Sequence, residues 1–137
     1  MPSESSTPLP TGVAGQRILI TGANSGIGWQ AALALGRAGA AVILACRDRQ
    51  RGEAALAQLR AAAPASRPEL RLLDLASLAS VRRFALDELA HERPLQVLVN
   101  NAGVMAPPRR RETADGFELQ LGTNLLGHFA LTVLLMP

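Results

Sequence analysis

The chain has 137 residues, 48% of them apolar and 18% charged, with a net charge of +3. That length supports one domain with a substantial core and argues against two, and the composition excludes an intrinsically disordered chain. All fourteen basic residues are arginine, and only Arg109, Arg110 and Arg111 form a run, too narrow a footprint for a nucleic-acid partner.

The single cysteine, Cys46, cannot form an internal disulfide, which fits a reducing compartment and a cytoplasmic location. No charged n-region followed by an apolar h-region opens the chain, so no secretory signal is expected. The longest membrane candidate, Leu125 to Met136, is interrupted by His128 and falls short of the ~20 residues a spanning helix needs. No metal-spaced cluster accompanies His128, so a local packing or hydrogen-bonding role is expected for it. The sequence contains neither tyrosine nor lysine. Chemistry that needs a Tyr–Lys pair is therefore not complete within these residues.

Residues 1–14 are rich in Ser, Thr and Pro and read as a disordered lead-in to a domain over 15–137. The first strand is expected at 17–21. A helix follows whose apolar stripe is Ile27, Ala31, Ala34, Leu35 and Ala38, with Gly39 as its stop. The short apolar run 41–45 has the pattern of a parallel strand covered on both faces. Asp48 is placed to cap the next helix, which buries Gly52, Ala55, Leu56, Leu59 and Ala63 and ends at Pro64. A third strand is expected over 69–73, a helix capped by Ser77 runs through Leu89, and a fourth strand spans 96–99. Prolines and arginines mark a loop over 103–111, and Thr113 or Asp115 is expected to open a helical segment that reaches the last residues. Strands alternating with helices in this way imply an α/β fold with a doubly wound parallel sheet and right-handed crossovers.

The stretch from Ile18 to Gly28 carries the first functional signal: a strand that breaks into Thr21-Gly22-Ala23-Asn24-Ser25-Gly26-Ile27-Gly28. Glycine at 22 suits a tight turn, at 26 a close approach of backbone to pyrophosphate, and at 28 close packing of helix on strand. The free N–H groups and dipole of that helix would hold phosphates, although glycine turns between strand and helix also occur for packing alone. Asp74 lies just past the third strand, at the edge where open α/β sheets bind ligands. Asn101 and its neighbours follow the fourth strand, where Asn side chains can also tie strand ends together.

Taken together, the glycine loop, Asp74-Leu75, Asn100-Asn101-Ala102-Gly103 and Asn124 resemble, in order and spacing, the short-chain dehydrogenase/reductase family of classical type. The stretches from Ile43 to Asp48 and from Asp115 to Phe129 most resemble its retinol dehydrogenase-like branch. The resemblance covers residues 16–137 and corresponds to the N-terminal half of a family member. It implies a Rossmann-type domain of four strands and four helices, a nicotinamide dinucleotide cofactor, and an alcohol or carbonyl substrate in the complete enzyme. It also implies that Thr21, Gly22, Asn24, Ser25, Gly26, Ile27 and Gly28 cradle the phosphates. Asp74 would meet the adenine amino group with Leu75 nearby, Asn101, Ala102 and Gly103 would border a ribose, and Asn124 would be the one catalytic residue present, holding a water in a proton path.

Arg47 falls 19 residues after Gly28, just past the second strand, where an acid would accept from a ribose and an arginine would pair with a 2′-phosphate. Cys46 stands where NAD-preferring relatives carry the acid. NADP is therefore favoured over NAD, with Asp48 assigned to helix capping. The family pattern continues with a fifth strand, a serine and a Tyr-x-x-x-Lys pair that this sequence lacks. The expectations are a catalytically incomplete chain, an apolar edge at Val97-Leu98-Val99, and an exposed final helix able to pair with another subunit. The alternative from another class is a non-catalytic nucleotide-binding or subunit-interaction fragment.

Overall fold

The computed structural model describes residues 8–136, so the lead-in expected over 1–14 lies outside the described residues at 1–7. Within the rest of that stretch Val13 packs against the core, and the Gly15 N–H donates to the Gly39 carbonyl at 2.9 Å. The sheet consists of β1 (Arg17–Thr21), β2 (Ala41–Cys46), β3 (Glu69–Leu72) and β4 (Val97–Val99), all parallel, in the spatial order β3-β2-β1-β4. Ile18 of β1 lies opposite Val42 on one side and Val97 on the other. The central strand is thus paired along both edges.

Successive side chains of a strand point to opposite faces, and both faces of this sheet are covered. Ile18 and Ile20 of β1 join Val42, Leu44 and Cys46 of β2 in a core with Ala32 of α1 (Gly26–Arg37) and Ala55, Leu56 and Leu59 of α2 (Arg49–Ala62). Leu19, Ile43 and Ala45 point the other way, against Val81 and Phe84 of α3 (Leu78–Leu89) and Leu131 of α4 (His128–Leu135). Two helices on each face make the sheet doubly wound, as the alternation of elements implied. This explains why the strands read as continuous apolar runs.

The capping expectations hold for two helices. Asp48 accepts from the Arg51 N–H at 2.9 Å at the start of α2, and Ser77 accepts from the Ser80 N–H at 3.3 Å at the start of α3. Each such cap satisfies one of the four free N–H groups at a helix start.

Two expectations are corrected. In α1 the buried line is Gly28, Ala32 and Gly36, one position round from the expected stripe, and Ile27 is 82% exposed. Glycine carries no hydrophobic signal, yet at 36 a side chain would press on Leu59 and Ala63 at 3.3 Å, so the close contact falls where an apolar template sees nothing. The final helical segment starts later than 113 or 115. Thr113 and Gly116 make a turn in which the Thr113 N–H donates to Phe117 O at 2.7 Å. Glu118 then caps the helix by accepting from the N–H groups of Gln120 and Leu121, which holds its carboxyl below the ordinary range. Asp115 instead accepts from the Leu78 N–H at 2.8 Å, capping α3 across the chain. The segment Leu121–Gly127 is π-helical and leads directly into α4, and such π segments concentrate at functional sites.

At the end of the sheet where β1 and β3 begin, Arg17 is buried and donates to Glu88 and to Arg93 O, and Arg71 also donates to Glu88. Glu69 lies 3.5 Å from the Arg17 guanidinium. Arg71 additionally stacks over the Phe84 ring at 4.4 Å. A buried carboxylate between two guanidiniums is fully paired, which is the condition for keeping such charges inside. Among the described residues no helix is long and apolar enough to cross a membrane.

Candidate functional site

At the opposite edge, where the strands end, a cleft of about 670 Å³ opens between the β1–α1 turn and the segments that follow β2, β3 and β4. Gly22, Asn24, Ser25, Gly26, Ile27, Arg47, Asp74, Leu75, Asn101, Ala102 and Gly103 all line it. These come from four separate segments of the sequence. The topology brings them together because each segment leaves its strand at the same end.

The turn is built by close approach. Gly22 has φ +65°, and a Cβ there would lie 2.8 Å from the Ala102 Cα. A Cβ on Gly28 would lie 2.4 Å from Asn101 Nδ2 and 2.6 Å from Gly22 O. Gly28 therefore admits the Asn101 side chain to the turn as much as it admits helix to strand. Gly26, with φ +59°, faces open space, and the first turn of α1 carries no acid. No acid of its own first turn offsets the N–H groups and positive dipole end of α1 at that mouth, which suits an anion.

Thr21 and Gly28 do not line the cleft; they hold its walls. Thr21 Oγ1 accepts from the N–H groups of both Asn101 and Ala102, each at 2.9 Å. It also lies 2.8 Å from His128 Nε2. His128 Nδ1 lies 3.0 Å from the Asn124 carbonyl, an acceptor only, so Nδ1 carries the ring proton and Nε2 accepts from the Thr21 hydroxyl. His128 is buried and bonded locally, as the absence of metal-spaced partners led one to expect. Asn101 Nδ2 donates to Thr21 O at 3.0 Å, tying the ends of β1 and β4 together, and the residue also lines the cleft.

Asp74 uses one carboxylate oxygen, Oδ1, to accept from the Ala76 N–H at 2.9 Å, and its own N–H donates to Ser80 Oγ at 3.0 Å. Among the described residues the second oxygen has no such bond and remains an acceptor at the cleft wall. Leu75 beside it is buried and supplies an apolar surface. Asn124 is exposed and is not among the residues that line the cleft. Its Oδ1 accepts from the Val104 N–H and its Nδ2 donates to Val104 O, both at 2.8 Å. The side chain thus fixes the chain leaving Gly103.

The sequence had not pointed to Arg51, Val104, Met105 or Thr123, which also line the cleft. Nor had it pointed to Gly127, where a Cβ would lie 2.3 Å from Leu75 O, so that glycine lets the π-helical segment meet the Asp74-Leu75 corner. Only a close approach between distant segments makes it necessary, and spacing alone does not reveal that. Cys46, buried behind the cleft, has its thiol pushed up by desolvation, partly offset by the N–H groups of Ala23 and Asn24.

Fold and site together define a Rossmann-type α/β domain with a glycine turn at the carboxyl edge of its sheet. A sequence model described as short chain dehydrogenase matches residues 16–137, and the chain belongs to that family of oxidoreductases. It is 51% identical over 123 residues to the polyprenol dehydrogenase of Mus musculus, covering 90% of this chain and 36% of that protein. It is 47% identical over 129 residues to retinol dehydrogenase 13 of Homo sapiens, covering 94% of this chain and 39% of that protein. Among solved structures, an uncharacterised protein from Mycobacterium paratuberculosis superposes with a TM-score of 0.79 at 50% identity, over 92% of this chain and 43% of that one. A protein described as a short chain dehydrogenase from Shigella flexneri, complexed with NADP, gives 0.75 at 26% identity, over 91% of this chain and 54% of that one. The chain spans less than two-fifths of the length of these curated relatives.

Proposed function

We propose that residues 15–137 form the cofactor-binding half of an NADP-dependent alcohol/carbonyl oxidoreductase. The observation that carries this reading is the convergence of the glycine turn, Arg47, Asp74-Leu75 and Asn101-Ala102-Gly103 on one cleft. In it the amides after Ser25 hold the pyrophosphate, the free oxygen of Asp74 accepts from the adenine amino group over Leu75, and Asn101 to Gly103 border a ribose. Arg47 pairs with the 2′-phosphate. Asp48 is spent on the α2 cap and is thereby withdrawn from a ribose, which supports NADP over NAD.

The bound dinucleotide supplies hydride chemistry; this chain's residues bind and orient it. Reduction of a carbonyl also needs a proton at the carbonyl oxygen, and the Asn124 amide is not an acid at neutral pH. With no tyrosine or lysine in the sequence, turnover requires a donor from outside these residues. The lack of such a donor alone costs a factor of about 10²–10⁴. Asn124 acts here by fixing the Gly103-Val104 wall and, in an assembled active site, by its place in the proton path.

The test is equilibrium binding of NADPH and NADH, read by calorimetry and by the fluorescence of Trp29, the only tryptophan, which sits in the first turn of α1 and packs against the core. Saturable binding with NADPH preferred is expected; a folded sample that binds neither refutes the reading. A second reading, subunit interaction, is favoured by one observation: Leu121, Leu125, Phe129 and Val133 recur every four residues on the last helical segment, and all are exposed. Sedimentation tests it, with Phe129→Glu reducing any self-association.

A further inference from the structure

Of the two histidines, His91 is exposed beyond α3, and His128 is buried at the start of α4. The His128 ring joins two distant segments: Nδ1–H donates to the Asn124 carbonyl at 3.0 Å, and Nε2 accepts from the Thr21 hydroxyl at 2.8 Å. Resting on the dinucleotide reading above, we propose that His128 is a positioning residue whose neutral form is needed for tight dinucleotide binding, so that a proton on this ring and a dinucleotide in the cleft oppose one another.

The argument is one of hydrogen-bonding capacity. A hydroxyl has one proton to give and two lone pairs to accept with. Thr21 Oγ1 uses all three: it accepts from the N–H groups of Asn101 and Ala102, each at 2.9 Å, and gives its proton to His128 Nε2. Protonation turns Nε2 into a third donor aimed at the same oxygen. The Thr21 proton must then turn to Val99 O at 3.4 Å, a long bond and a weak one, and two lone pairs face three N–H donors. One of the three has to let go. The ring is held by its second bond and by the helix that carries it, whereas Asn101 and Ala102 lie in the segment that lines the cleft. Ala102 in turn packs on Gly22 of the glycine turn, where a Cβ would lie 2.8 Å from its Cα. Both walls therefore feel the proton.

No neighbouring charge answers for the ring. Among the described residues no carboxylate lies within 4.0 Å of it. From α3, the buried acid Glu88 is taken by Arg17 and Arg71. Asp74 has Oδ1 on the Ala76 N–H, Glu118 caps its own helical segment, and Cys46 packs in the core on the other face of the sheet. The groups that meet His128 are neutral, so a proton there is an uncompensated buried charge as well as a surplus donor.

The experiment is calorimetric titration of the chain with NADPH and with NADH from about pH 8 to about pH 5, the span over which imidazoles change charge, wherever circular dichroism shows the fold intact. As the pH falls, the unmutated chain is expected to lose about five- to tenfold more affinity than His128→Gln, the worth of one hydrogen bond. Glutamine can give and take the same two bonds without acquiring a charge. The difference between the two proteins should be the same for both dinucleotides, because the 2′-phosphate, which titrates in this range, does so in both proteins alike. His91→Gln should keep the unmutated profile. A second measurement needs no variant: by reciprocity, saturating dinucleotide should move the titration of the His128 ring resonances to lower pH by the same factor and leave those of His91 in place. Identical pH profiles in the unmutated chain and His128→Gln, or a His128 titration that the dinucleotide does not move, overturn the inference while the dinucleotide reading stands. A folded chain that binds neither dinucleotide at the upper end of that span overturns the reading, and the inference with it.

Discussion

Replacing Thr21 by valine tests how the cleft is held open. Valine has nearly the same shape and fits a strand, but the swap is not neutral, because it removes a hydroxyl. That hydroxyl accepts from the N–H groups of Asn101 and Ala102 and meets His128 Nε2, and Thr21 is 1% exposed. Its loss leaves two N–H groups and a ring nitrogen without their partner in the protein. Each buried unsatisfied group costs about 1–3 kcal/mol. Because the 101–103 segment borders the cleft and can recruit water, a total near the lower end, about 2–4 kcal/mol, is expected. With a urea m-value of about 2 kcal/mol/M, the unfolding midpoint should fall by about 1–2 M. Amide exchange at Asn101 and Ala102 should accelerate more than at β2, and Thr21→Ser should restore most of the loss. A stability change under about 0.5 kcal/mol, a midpoint shift of about 0.25 M at that m-value, with unchanged exchange at those two amides would refute the reasoning.

Other consequences follow from the same geometry. Glu88→Ala leaves Arg17 buried without its carboxylate, and should destabilise the chain by about 3–5 kcal/mol in equilibrium unfolding; a loss under 1 kcal/mol would mean the pair is solvated. Glu118, lowered by its two N–H partners, contributes stability that is present above its unfolded value and lost as pH falls through its lower folded value. The stability difference between wild type and Glu118→Ala should therefore be present at neutral pH, shrink as pH falls below the ordinary glutamate value and vanish below the lowered folded one, as read by thermal unfolding across pH. Cys46, raised by burial, has the opposite sign: stability is intact below the unfolded thiol value of about 8.5 and declines as pH rises through the folded one. Its thiol should react with a disulfide reagent far more slowly in the native chain than in urea, and equal rates would contradict its burial.

The fold was largely legible because its signals are local. Continuous apolar runs marked strands covered on two faces, and Asp48 and Ser77 announced helix starts that the structure confirms. What failed to show in the sequence depends on segments far apart. Asp115 caps α3 rather than its own helix, because the turn after Thr113 turns its carboxylate toward the Leu78 N–H. The buried line of α1 passes through two glycines, whose role is set by Asn101 and Leu59 approaching from elsewhere. Glu88 gathers Arg17 from a position 71 residues earlier, and no composition or periodicity reports such a pairing.

The candidate site shows the same division. The residues that line the cleft stood out because glycine turns and strand-end acids are unusual at fixed places along an α/β chain. Thr21 and Asn124 were expected to meet the cofactor or the reacting atoms, whereas their side chains bond to the segment after β4 and are not among the lining residues. Arg51 was hidden among fourteen arginines, because only the register of α2 separates it from Arg49. Thr123 lines the cleft with a buried hydroxyl that has no partner among the described residues, and a lone Thr in a helical run gives no sign of that.

The central claim is that this cleft, and no other surface, receives a nicotinamide dinucleotide. The most direct measurement is amide chemical-shift mapping of the isotopically labelled chain during titration with NADPH. The account predicts saturable shifts concentrated at Gly22 to Gly28, Arg47, Arg51, Asp74, Leu75 and Asn101 to Gly103, with the Arg17–Glu88 end of the sheet unmoved. Shifts confined to that opposite end or to Arg109–Arg111, or no saturable shifts in a folded sample, would contradict it.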